Sequence, residues 1–326
     1  MKYLNPEETK AKINDFTRKR RSFLFIVDST GMKAVVCSPE EATHEGIFFN
    51  FNGITNRKDP EIVLPELLFT LFPVDFESYE KAFNNVMFHI HRGDTYLLNL
   101  TFPTPIKSNF SLLQLFQAAT APYKLLFRDQ FVVFSPEIFI RISDSIISSF
   151  PMKGTIDADI PGAEKIIMED RKEFYEHNTI VDLIRNDIAM VATRVRVNRF
   201  RYIDRIRTNR KDLLQISSEI TGILPDGYLS SLGDILFTML PPGSVTGAPK
   251  EKTVQIIREN EPDDRGFYTG ICGYFDGNSL DSAVMIRFIE KTDNGMIFRS
   301  GGGITSRSDA RREYQEMIEK VYVPLV

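Results

Sequence analysis

Four glutamates raise the first chemical possibility. Glu173 and Glu176 are spaced i, i+3 in one segment, and Glu313 and Glu316 repeat that spacing in another. If both segments are helical, each pair projects from a single face. Two such faces brought together make a carboxylate cage suited to Mg²⁺, a hard cation that takes oxygen ligands and keeps several waters. Either pair alone is ordinary solvated helix surface, so the cage depends on what accompanies it. In Pro151-Met152-Lys153-Gly154-Thr155 a lysine stands between a strand and a turn. As a nucleophile Lys153 would have to be neutral, and a lysine at its usual pKa is amine in less than about one part in a thousand at pH 7. A desolvated position beside a cation would lower that barrier. Glu137, in Phe134-Ser135-Pro136-Glu137, would become a usable acid if buried and is a strand-end carboxylate otherwise.

Two glycine-rich stretches could shape a site for an anion. Pro242-Gly243-Ser244-Val245-Thr246-Gly247-Ala248-Pro249-Lys250 opens a helix, where unpaired backbone N–H groups suit negative charge. Its spacing is not that of a G-x-x-x-x-G-K-[ST] loop, so no nucleotide is implied. Ser300-Gly301-Gly302-Gly303-Ile304 follows a strand, and successive glycines let a backbone approach a ligand or turn sharply. A third feature is the run Arg194, Arg196, Arg199, Arg201, Arg205, Arg207 and Arg210, opposed only by Asp204 and alternating with Val195, Val197 and Ile206. It reads first as a solvated strand face, second as a dock for an acidic partner. A nucleic-acid patch comes third, because only Phe200 and Tyr202 could stack on bases.

The elements that must position these groups follow from periodicity. Helical patterns cover 6–21, 76–91, 172–191, 232–240, 253–260 and 308–322. In 172–191 the apolar stripe is Phe174, Val181, Ile184, Ile188 and Val191, with the acids on other faces. Strand patterns cover 23–27, 32–37, 46–51, 96–102, 124–134, 138–142, 146–150, 193–198, 201–207, 282–291 and 296–299, the last two joined by an Asp293-Asn294-Gly295 hairpin turn. Strands and helices mix without a βαβ rhythm. The expected fold is therefore α+β, with largely antiparallel sheets packed together and helices on the outside.

Composition narrows the classes. The 326 residues are 42% apolar and 26% charged, which excludes global disorder, and no repeat or long linker divides them, so they read as one domain. Forty Lys and Arg against 44 Asp and Glu leave a net charge of −4, without the positive field that bulk nucleic-acid binding needs. The N-terminal apolar run, Phe23 to Val27, is far too short to span a membrane. Pro6, Glu7 and Glu8 stand where a secretory signal would be apolar. Two cysteines, Cys37 and Cys272, form neither a metal knuckle nor a disulfide framework, so a cytoplasmic setting is expected.

Together these residues resemble the chorismate-utilising enzymes, and among them most closely the aminodeoxychorismate synthase component I branch. The resemblance spans a core of about residues 75–325, preceded by a shortened region 1–74. Its markers are Ser135-Pro136-Glu137, the Lys153 segment, Glu176-His177 running into Ile180-Val181-Asp182-Leu183-Ile184-Arg185-Asn186-Asp187, the loop from Gly243 to Lys250, Tyr268-Thr269-Gly270, the stretch from Asp281 to Arg287, the three glycines and the Glu313 to Lys320 segment. Anthranilate synthases carry alanine in place of Lys153 and serine in place of Thr246; isochorismate and salicylate synthases also have the lysine but differ in the glycine loop, so it is Lys153 in combination with Thr246 through which the resemblance implies amination at C4.

The resemblance also implies roles. Glu176 and Glu316 would ligate Mg²⁺, with Glu173 and Glu313 supporting through water. Tyr268, Arg287 and the amides of Gly301, Gly302 and Gly303 would hold the enolpyruvyl carboxylate of chorismate, beside Thr246, Gly247 and Lys320. Lys153 would form a covalent intermediate, with Glu137 as its proton-transfer partner. Ammonia would come from a glutamine amidotransferase subunit in a heterodimer, the product leading to p-aminobenzoate and folate. No nucleic acid or membrane partner is implied. Gln215 stands where the family has a histidine, and no Leu-Leu-Glu-Ser motif for a tryptophan pocket is present. The rival readings are an isochorismate- or anthranilate-synthase-type enzyme, and a binding module for anions or nucleic acid without catalysis.

Overall fold

A computed structural model describes residues 2–58, 64–207 and 212–325; Arg210 of the arginine run lies outside them. Among the described residues two nine-stranded sheets form, and every strand pairing in them is antiparallel. The first sheet runs Met152–Asp157, Asp212–Ile223, Ile146–Ser149, Ile138–Ser143, Leu280–Val284, Ile271–Phe275, Phe23–Val27, Ala34–Cys37, with Thr193–Arg207 also paired to Asp212–Ile223. The second runs Gly247–Ala248, Leu97–Ser108, Gly295–Ile304, Phe288–Thr292, Phe131–Ser135, Tyr123–Phe127, Ile47–Phe51, Ile54–Thr55, with Phe69–Leu71 on Leu97–Ser108.

The unbroken apolar run Phe23–Val27 shows how the layers stack. Leu24 and Ile26 enter a core shared with Phe49, Phe51, Leu125, Phe127 and Val133 of the second sheet. Phe23, Phe25 and Val27 face the other way, against Ile13 and Phe16 of the first helix and Ile184 and Ile188 of the helix Arg171–Ala189. A strand covered on both faces has no need to alternate, and all five residues are buried. Helices Phe76–Arg92, Lys250–Asn260 and Ala310–Glu319 cover the far side of the second sheet, with Val86, Ile256 and Met317 sharing a core with Leu98 and Leu100. The α+β reading with outer helices therefore holds.

Region 1–74 is woven into both sheets rather than appended, since Phe23–Val27 lies inside the first and Ile47–Phe51 inside the second. Two predicted strands are each two. The 124–134 segment folds back at Arg128, Asp129 and Gln130, with Arg128 left-handed at φ 53°. The 282–291 segment leaves the first sheet after Val284 and enters the second at Phe288, crossing through Met285, Ile286 and a left-handed Arg287. At the second break the apolar run is interrupted only by Arg287, which hid it; at the first, Arg128-Asp129-Gln130 interrupt it, but without Gly, Pro or Asn to announce a turn between two buried strands. Conversely, 193–198 and 201–207 are one strand, Thr193–Arg207, kept continuous by bulges. Its Arg194, Arg196 and Arg199 are exposed as a solvated face would be, while Arg201 is buried. Among the described residues no helix is long and apolar enough to cross a membrane.

Candidate functional site

The two glutamate helices begin alike. Asp170 caps Arg171–Ala189 by accepting from the Glu173 N–H, and Asp309 caps Ala310–Glu319 by accepting from the Arg312 N–H. Both glutamate pairs therefore sit in or near the first turns of well-defined helices. On the first of these the acids are not confined to outer faces. The buried stripe is His177, Ile180, Val181, Ile184 and Ile188, flanked by Glu176 and Asp187, whereas Phe174 is 37% exposed. The predicted stripe was rotated toward Phe174 because a buried carboxylate reads as polar surface in a one-letter pattern.

Lys153 lies against this face, with Nζ donating to Glu176 Oε2 at 2.8 Å. The strand carrying it pairs Lys153 with Ile216 and Thr155 with Gln215, so Gly154 is an extra bulged residue, left-handed at φ 68°. A Cβ on Gly154 would stand 3.0 Å from Glu173 Oε2. From the other helix, Lys320 donates to the carbonyl oxygen of Gly301 at 2.9 Å and pairs with Glu316 at 2.7 Å. A Cβ on Gly302 would meet Glu313, Glu316 and Lys320, and one on Gly303 would meet Leu97 and Lys153. Lys153, Lys320, the four glutamates, Gly302 and Gly303 thus share one neighbourhood.

Electrostatics in this neighbourhood pull both ways. Burial disfavours charge on Lys153, yet Glu176, Glu316 and Glu173 outweigh it and hold the ammonium above its usual pKa. Burial raises the carboxyls of Glu173 and Glu313, while Lys320, Lys153 and Lys172 hold Glu316 low against its own burial. Desolvation lowers Lys320. Glu137 is raised by burial, as an acid requires, and accepts a hydrogen bond from the Ser244 hydroxyl. Arg287, Lys153 and Lys320 are the cations that offset that rise.

The structure divides the expected substrate-binding residues. Gly247 pairs with Leu98, and a Cβ there would fall 1.8 Å from the Leu97 carbonyl oxygen. Gly301 pairs with Thr101, and its Cβ would fall 2.2 Å from the Leu100 oxygen. Both are glycine because a neighbouring backbone occupies the side-chain space, so only Gly302 and Gly303 turn their open face to the glutamates and lysines. Thr246 is buried at the end of the short helix Gly243–Thr246. Tyr268 is buried in the core between the sheets, its ring 5.9 Å from Phe288, and burial pushes its hydroxyl up to about 12. Arg287 lies 5.1 Å over the Tyr322 ring with its buried Nε unpaired, a donor free for an anion.

Several supporting residues have no local signature. Arg265 is buried and bonds Glu261, the Val245 oxygen at 2.7 Å and the Asn99 oxygen at 2.6 Å. Glu261 in turn accepts from both the N–H and the hydroxyl of Thr101. This ion pair ties the short helix Gly243–Thr246 to the strand that backs Gly301 and Gly303. His177 reaches Ser218 at 2.7 Å, and Ser218 N donates to Pro151 O at 3.0 Å, which braces the Glu176 helix against the Lys153 strand. Burial lowers His177 to about 4, so it is neutral at pH 7. Both were missed from the sequence: the signal that could have found His177 is its place four before Val181, on the stripe that proves buried, whereas Arg265 depends on a contact to Asn99, 166 residues away, and has no such signal.

The donor set fits a divalent cation. Glu176 Oε1 is buried with no hydrogen-bond partner, and Glu176 lies close enough to Glu173 and Glu313 for its charge to add to the rise that burial gives both their carboxyls. Among the described residues no three His, Cys, Asp or Glu side chains are already drawn together at metal-ligand distance, because Lys153, Lys172 and Lys320 stand among the carboxylates.

Residues 54–326 match the family model described as chorismate binding enzyme. An uncharacterized PabA-like protein of Pasteurella multocida is 50% identical over 314 residues, 96% of this chain and 97% of that protein. Aminodeoxychorismate synthase component 1 of Escherichia coli is 36% identical over 263 residues, 75% of this chain and 56% of that one. Among solved structures, the menaquinone-specific isochorismate synthase of Escherichia coli is 15% identical with a TM-score of 0.74, covering 98% of this chain and 82% of its own, a likeness of fold.

Proposed function

The chain belongs to the chorismate-binding enzymes, and from that premise we propose that it aminates chorismate at C4, giving 4-amino-4-deoxychorismate with ammonia supplied by a separate glutamine amidotransferase subunit. The observation that carries the reading is the lysine within the glutamate cage, Lys153, 2.8 Å from Glu176 and facing the open side of Gly303. A C2-aminating synthase of this family has alanine there. Isochorismate-forming members share the lysine, so it points to this branch only together with Thr246 in the glycine loop.

Glu176 and Glu316 would hold Mg²⁺, with Glu173 and Glu313 behind them. Bound there, it would supply a Lewis acid for the ring carboxylate and cancel the negative charge that keeps Lys153 protonated. Arg287 would take the enolpyruvyl carboxylate through the donor it leaves unpaired. The neutral Lys153 amine would form a bond to C2 while the ring double bonds shift and the C4–O bond breaks. Glu137, its carboxyl pKa raised by burial, would give a proton to the departing hydroxyl, which leaves as water. Ammonia would then bond to C4 as the C2–N bond breaks and its electron pair returns to Lys153. The surplus proton on the new ammonium would pass to the Glu137 carboxylate, restoring both residues. Two displacements replace one difficult one.

Incubating the full chain with chorismate, Mg²⁺ and ammonium, with the product identified by mass and chromatography, tests this reading. A 4-amino product that EDTA abolishes, and that Lys153→Ala fails to form, is expected. Isochorismate, or a product indifferent to ammonium, would assign Lys153 to activating water; anthranilate would move amination to C2. A Lys153→Ala variant working at near-normal rate would remove the covalent step.

A further inference from the structure

Lys172 sits in an unfavourable place for a cation. It occupies the first turn of the helix Arg171–Ala189, where the helix dipole and free N–H groups favour acids. What holds it there is on the other helix as well as its own. Its Nζ lies 3.4 Å from Glu313 Oε1 and 3.6 Å from Glu176 Oε1, spanning the two glutamate pairs. Those two carboxylates are 2% and 7% exposed, while the lysine is 38% exposed, so its stem leads outward to water. At 3.6 Å the contact to Glu176 Oε1 is an ion pair without a hydrogen bond. Lys153 and Lys320 are each committed to one glutamate at under 3 Å. Lys172 alone among the three is held loosely, between two acids, with a way out.

We propose that Lys172 is the built-in counter-ion of the carboxylate cage, bridging Glu176 and Glu313 while no metal is bound and swinging toward solvent when a divalent cation enters. The lysine then sets metal affinity, because each binding event must displace one positive charge from two buried carboxylates, and unlike charges this close in a half-buried setting interact strongly. It also gives the metal-free fold a counter-charge for Glu313, which neither Lys153 nor Lys320 pairs with directly. The inference rests on the metal reading given above, and the two can fail separately.

The test is Mg²⁺ binding to the full chain without chorismate, followed by titration calorimetry, with melting measured in EDTA and in excess Mg²⁺. Lys172→Gln should bind Mg²⁺ at least about tenfold more tightly than the native chain, melt lower in EDTA and recover in Mg²⁺. Lys172→Arg, which keeps the charge, should stay within about threefold of native affinity. Equal or weaker binding by Lys172→Gln, with Glu176→Gln abolishing binding in both backgrounds, would overturn the counter-ion role and leave the metal site standing. No Mg²⁺ binding in native chain and Lys172→Gln alike would overturn both. Binding seen only in Lys172→Gln would support the proposal in its strongest form.

Discussion

Adding a methyl group to Gly247 or to Gly302 asks two different questions of the same wall. At Gly247 the new carbon would fall 1.8 Å from a carbonyl oxygen, with φ at 125°, so the strand Leu97–Ser108 would have to move. Gly247→Ala should therefore cost more than about 3 kcal/mol in urea unfolding, a loss of the kind that strained backbone positions produce. At Gly302 the nearest atoms are the ends of Glu313, Glu316 and Lys320, 3.5 to 3.7 Å away. Gly302→Ala should leave the urea midpoint nearly unchanged and raise the KM for chorismate, by about the 1–3 kcal/mol that one misplaced carbon costs in a fitted pocket. Equal destabilisation by both changes would show that Gly302, too, is glycine for the fold. Residue types and spacing brought Lys153 and the four glutamates forward only in combination, since either i, i+3 pair alone reads as solvated helix surface, and their roles came from the resemblance. The sequence did not distinguish glycines that serve a ligand from glycines that serve a neighbouring strand, since both read as Gly. Lys172 was equally hidden, one of many lysines until a second helix supplied its partners.

At the scale of elements, the strand Leu97–Ser108 carries the site without contributing a charged group to it. It backs Gly247 on one edge and the glycines of Gly295–Ile304 on the other, and Arg265 and Glu261 clamp it through Asn99 and Thr101. That ion pair is 8% and 3% exposed, so removing one partner leaves a buried charge uncompensated. Glu261→Gln should lower stability by about 3–5 kcal/mol. Urea unfolding measures it, and a loss under 1 kcal/mol would show that the pair is dispensable to the clamp. Helices were read well where caps and apolar stripes agree, as in Phe76–Arg92 with Asp75 before it and Gly93 after it. Strand ends were read poorly at Arg128 and Arg287, where a non-glycine residue turns left-handed between two buried runs. Neither turn has Gly, Pro or Asn to announce it. The second of these turns brings Arg287 to the crossing between sheets, so the least legible element boundary is also the one that positions a candidate substrate-binding residue.

For the whole molecule, two sheets face to face bury one another's inner surfaces, and both cysteines lie in that shared core. Cys37 and Cys272 belong to strands on opposite sides of Phe23–Val27, opposite Leu24 and Ile26 respectively. Two strand spacings across and two residues along put their Cα atoms roughly 12 Å apart, too far for a disulfide. Burial, reinforced by Glu41, pushes the Cys37 thiol up to about 12, and burial pushes Cys272 up as well. A thiol in the unfolded chain titrates near ~8.5. Between that value and the folded one, the native state keeps a proton that the unfolded state has lost, so stability is full below pH ~8.5 and falls as pH rises through the window. Each thiol should cost up to about 1.4 kcal/mol per pH unit there. Urea midpoints at pH 8 and pH 10 should differ accordingly, and Cys37→Ala should reduce the difference while costing some packing at both. A thiol-reactive disulfide reagent at pH 8 should label neither cysteine in the native protein and both in urea. Rapid native labelling of Cys37 would mean that the two sheets separate readily near the Ala34–Cys37 edge, which the continuous core across that edge opposes.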